Sequence, residues 1–67
     1  MKSARRRAAL ELRAWQQHGR FGLGELAWQA VQAAAERLGY PSVAAASHDG
    51  RSAELFSEAI EDCESDD

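Results

Sequence analysis

The chain of 67 residues has a single cysteine, a single proline and a single tyrosine, and its wholly apolar runs, such as 33–35 and 43–46, reach only three to four residues. One thiol excludes an internal disulfide. Runs that short exclude a helix spanning a bilayer. The start is basic, but no apolar stretch follows Arg7, so it does not read as an export signal. A lone thiol without such a signal fits a reducing, cytoplasmic setting. Disorder is excluded too, because 45% hydrophobic and 28% charged residues with one proline describe a globular chain. At this size the gain from hydrophobic burial and the cost of ordering the chain are each about 100 kcal/mol. With no disulfide and no paired metal ligands to tip the balance, a partner subunit is the expected supplement.

Charge is present but unevenly placed. Residues 1–24 carry Lys2, Arg5, Arg6, Arg7, Arg13 and Arg20 against Glu11 alone, whereas residues 25–67 carry Arg37 and Arg51 against ten carboxylates. The net charge of −3 hides this division. Such separation marks an interaction surface, a solvated tail, or two parts of one molecule that attract each other.

Between the glycines, Pro41 and Asp49, the periodicity is helical. Ala8, Leu12 and Trp15 share a face and predict a helix over 3–18, with Gly19 as its left-handed stop. A second helix is predicted over 22–38. Gly22 serves as its N-cap, Glu25 reaches back from the third position, and Phe21 and Leu26 form a staple. Gly39 and Pro41 end it. Its polar residues Glu25, Gln29, Gln32 and Glu36 make one narrow ridge, so it should be packed on two or three sides, by two other short helices or by a second copy of the chain. Leu26, Trp28, Ala30, Val31, Ala34 and Leu38 are the expected packing and dimer face, where small alanines let a neighbouring backbone approach. Ser42 can cap a short helical turn over 42–47, and Asp49-Gly50 is a turn. A last helix is predicted over 52–63, capped by Ser52, with a frayed acidic tail at 64–67. The expected fold is all-α, a single domain of three or four helices built on the hairpin 3–18/22–38 and forming a homodimer.

Chemistry-bearing residues are sparse: His18, His48, Asp49 and Cys63. Their spacing matches no metal-ligand pair, and the acids around Cys63 raise a thiol's pKa, the wrong direction for a nucleophile. No catalytic group, metal or cofactor is therefore expected. Gly22-Leu23-Gly24 resembles the Gly-hydrophobic-Gly turn of the helix-hairpin-helix family, which implies phosphate binding by amides at a helix N-terminus. The resemblance covers three residues, and Trp28 stands where that family has a small residue.

These features predict a non-catalytic regulator or inhibitor that occupies a surface of a larger protein. The acidic face Glu54, Glu58, Glu61 and Asp62 is the expected contact, directed at a basic groove. Small proteins of this kind are typical of phages and mobile elements that block host machinery. One alternative is a nucleic-acid-associated factor using Arg5, Arg6, Arg7, Arg13 and Arg20, for which the acidic pI of about 5.3 is unfavourable. A structural assembly subunit is the other.

Overall fold

Four helices account for most of the chain: α1 (Ala4–His18), α2 (Glu25–Arg37), α3 (Val43–His48) and α4 (Ser52–Ser65). The computed structural model describes residues 4–18 and 22–65, and no strand occurs among them. The apolar stripe of α4 consists of Leu55, Phe56, Ala59, Ile60 and Cys63, spaced to fall on one side of a 3.6-residue helix. This stripe packs against each of the other three helices, most extensively against α1 and then α2. Helix α1 contributes Ala8, Ala9 and Leu12, α2 contributes Ala27, Ala30, Val31, Ala34 and Ala35, and α3 contributes Ala46. No polar or charged residue is buried among the described residues. Removing Leu12 and Leu55 completely from water contributes about 2–3 kcal/mol each.

The structure corrects several sequence expectations. Helices α1 and α2 do touch, but each packs more extensively on α4, so the hairpin is not the organising contact. Ala30, Val31 and Ala34, expected at a face between copies, are closed inside the chain's own core. Leu26 and Leu38 lie half-buried against that core, and only Trp28 of the set stays largely exposed. The apolar surplus of α2 is thus absorbed by α1 and α4, which removes the packing argument for a second copy. Glu64 and Ser65 are helical rather than frayed. Gly19 and Phe21 lie outside the described residues, as do the last two positions of the acidic tail.

The stops fall where the glycines are. Gly39 adopts φ 94°, its amide donates to Glu36 O, and the amide of Tyr40 donates to Ala35 O at 2.9 Å. Those two bonds close α2 as a Schellman motif. Gly50 repeats the arrangement after α3, with φ 78° and amide bonds from Gly50 to Ser47 O and from Arg51 to Ala46 O. Ser42 caps α3 as expected, accepting from the Ala45 amide at 3.1 Å. The starts of α2 and α4 differ from expectation. The N-cap of α2 is Gly24 rather than Gly22, so Glu25 is its first residue and cannot reach back. Ser52 is the first residue of α4 rather than its cap, and Arg51 precedes it with its carbonyl accepting from the Leu55 amide.

Three outcomes are expected. Gly39→Ala puts a Cβ into open space but in a left-handed conformation, and should cost about 1 kcal/mol or somewhat more in urea unfolding. Gly22→Ala, also in open space and without positive φ, should be neutral or stabilise by about 0.5 kcal/mol. Ala34→Glu, which at a surface between copies would only separate them, should abolish the helical circular dichroism, because Ala34 has no exposure.

Candidate functional site

The residues with reactive side chains are dispersed. Cys63 is fully buried on the core face of α4, and His18 and His48 are exposed at the last turns of α1 and α3. Among the described residues no group of three or more His, Cys, Asp and Glu is placed to hold a metal. Asp49 is engaged with Tyr40, whose hydroxyl donates to Asp49 Oδ2 at 2.5 Å. This hydrogen bond, followed by partial desolvation and the carboxylate's charge, holds the phenol above its ordinary pKa of 10.0. Since Tyr40 is the only tyrosine, an ultraviolet titration should show one phenolate transition above pH 10, and Asp49→Ala should lower it.

The arginines expected at a nucleic-acid surface do not act as one patch. Arg5 Nη2 lies 3.2 Å from both the carboxylate and the main-chain oxygen of Asp62, and Arg13 Nε donates to Glu64 Oε2 at 3.0 Å. Arg6 and Arg7 are exposed on α1, and Arg20 lies outside the described residues. Two cations of the basic half are therefore held by the acidic helix of the same molecule. The Gly22-Leu23-Gly24 amides are no freer for phosphate. Glu11 of α1 accepts from the Gly24 amide at 2.9 Å, so a carboxylate already sits at the start of α2. It caps the helix and repels an incoming anion. Sequence reasoning missed Glu11, whose partner lies 13 positions away on another helix.

The acidic face is only partly intact. Glu54 pairs with Arg51, Glu58 with Arg37 at 3.6 Å, and Asp62 with Arg5. These are half-exposed pairs, each contributing about 0–1 kcal/mol. Glu61 is exposed and makes no ion pair among the described residues. Glu58, Glu61, Asp62 and Glu64 line a shallow concavity of about 560 Å³ in which Arg37 is the only cation among the described residues.

A second concavity, of about 510 Å³, is predominantly apolar and was not anticipated. Trp15, Trp28, Val43, Ala53 and Phe56 line it, with Gln16, Ser47 and Ser52 at its edges. Trp15 and Phe56 stack at 5.8 Å between centroids with 11° between planes, so two of the lining side chains brace each other and form an aromatic wall. Trp28 is 43% exposed. No helix among the described residues is long and apolar enough to cross a membrane. No family model matches the chain, and no curated protein or solved structure shows similarity to it.

Glu11→Ala is expected to cost about 1 kcal/mol in urea unfolding, the usual loss of a helix cap. The same loss should appear in the double variant with Gly24→Ala, since that Cβ would stand 3.1 Å from the Glu11 carboxylate and disturb the same contact.

Proposed function

We propose that the chain is a non-catalytic regulatory or inhibitory protein that acts by covering a basic surface of a larger, cytoplasmic protein. The acidic C-terminal helix α4 is the contact. One observation carries this reading: in the concavity that Glu61 forms with Glu58, Asp62 and Glu64, Glu61 is exposed and makes no ion pair among the described residues, while each of the other three is held by an arginine. Concave placement of like charges focuses the field on an incoming cationic side chain and speeds association. Phage-encoded and mobile-element inhibitors of host machinery are the genre this resembles. The nucleic-acid alternative is less favoured, because Arg5 and Arg13 would first have to leave Asp62 and Glu64. The homodimer and the assembly-subunit reading gain no support from α2, whose small residues are already covered.

Affinity capture from the source cell with wild type and Glu61→Lys tests the reading. A partner retained by wild type should bind Glu61→Lys on the order of tenfold more weakly at low salt. Equal retention would remove the acidic face from the mechanism. Duplex-DNA anisotropy at about 50 mM salt should show no binding. Binding that falls about a hundredfold by roughly 200 mM salt would transfer the function to the arginine face.

A further inference from the structure

A second interaction surface lies apart from the acidic edge of α4. The aromatic concavity does not end at Trp28. That side chain and Val43 also line an adjoining depression with Gln32, Glu36, Pro41, Ser42 and Ala44. Together the two form one furrow from the Trp15–Phe56 wall, past Trp28, to Glu36. Its floor is apolar and preorganised by the ring stack, the form in which buried anchors are held at interfaces.

Its charge is one-sided. Among the described residues that line the furrow, Glu36 is the only ionised one, and Glu25, the only other charge on the ridge of α2, is also a carboxylate. No lysine or arginine is among the described residues that line either depression. Glu36 makes no ion pair among the described residues. The cation of α2, Arg37, is turned to Glu58 on α4. An occupant that complements this furrow needs a bulky apolar side chain for the floor and a cation for the rim, where the face of Trp28 adds cation–π attraction. A second copy is a poorer fit, because each carries a net charge of −3 and the two repel.

We propose that this furrow docks a segment of a partner protein in which one large apolar side chain, seated between Trp28 and the Trp15–Phe56 wall, has a lysine or arginine beside it facing Glu36. The proposal rests on the protein-binding reading and supplies a contact that the acidic edge of α4 does not.

The test is panning of a random-peptide phage library on the intact chain, with counter-selection on Trp28→Ala. The enriched peptides should share Phe, Trp, Leu or Met within four positions of Lys or Arg. A synthetic consensus peptide should bind Trp28→Ala and Glu36→Lys about tenfold or more weakly than wild type, with helical circular dichroism unchanged. If Trp28→Ala does not fold, Ala53→Arg replaces it: Ala53 is an exposed lining position, and a cation there should repel the same peptide. Failure to enrich, an acidic or uncharged consensus, or undiminished binding by the variants would overturn the proposal. Peptides lost on Glu61→Lys but kept on Trp28→Ala would overturn it while leaving the acidic-edge function standing. A wild-type dimer that Trp28→Ala dissociates in sedimentation would place a second copy in the furrow and overturn it as well.

Discussion

Everything in this molecule is arranged around the apolar stripe of α4. Leu55, Ala59 and Cys63 have no exposure, and α1, α2 and α3 each close against the helix that carries them. A chain this short cannot bury a large core, so it places one helix where all the others can share it. The alanines of α2 make that sharing possible, because small side chains at 27, 30, 34 and 35 let α2 lie close to its neighbours. Short α3 adds only Ala46 to the core, but its start and stop fix the wall on which Val43 meets the furrow.

The same packing resolves an electrostatic conflict. Arginines in the first turn of α1 oppose its dipole, and acids in the last turns of α4 oppose theirs. Arg5, in the first turn of α1, meets Asp62, in the last turn of α4. Each unfavourable end is thereby set beside the other. Arg5 also reaches the carbonyl of Asp62, one of the terminal oxygens that a helix cannot satisfy within itself. Charge segregation along the chain is in large part an internal attraction, and what remains for an outside partner is the residue it leaves unmatched, chiefly Glu61.

The helices themselves were legible because their signals are local. Gly39 with Pro41, Ser42, and Asp49-Gly50 act within a few residues of where they stand, and the stops of α2 and α3 follow from them. The cap of α2 was not legible, because Glu11 acts across helices and no spacing rule points from it to Gly24. The burial of α2 was read correctly in amount, but its cover was left open between the chain's own helices and a second copy. Periodicity states that Ala30, Val31 and Ala34 must be covered and is silent on whether the cover belongs to the same chain. The furrow was the least legible feature, since Trp15, Trp28, Val43 and Phe56 come from four different helices and converge only when α4 is in place.

That dependence has a meaning for biosynthesis. The hub of the fold follows the three helices it organises, so α1 and α2 are synthesised before the helix they pack against exists. At about 5–20 residues per second the wait from the end of α2 to the end of α4 is on the order of seconds. A chain cut short before residue 60 keeps the helix-forming stretches of α1, α2 and α3 but lacks much of the stripe they pack against.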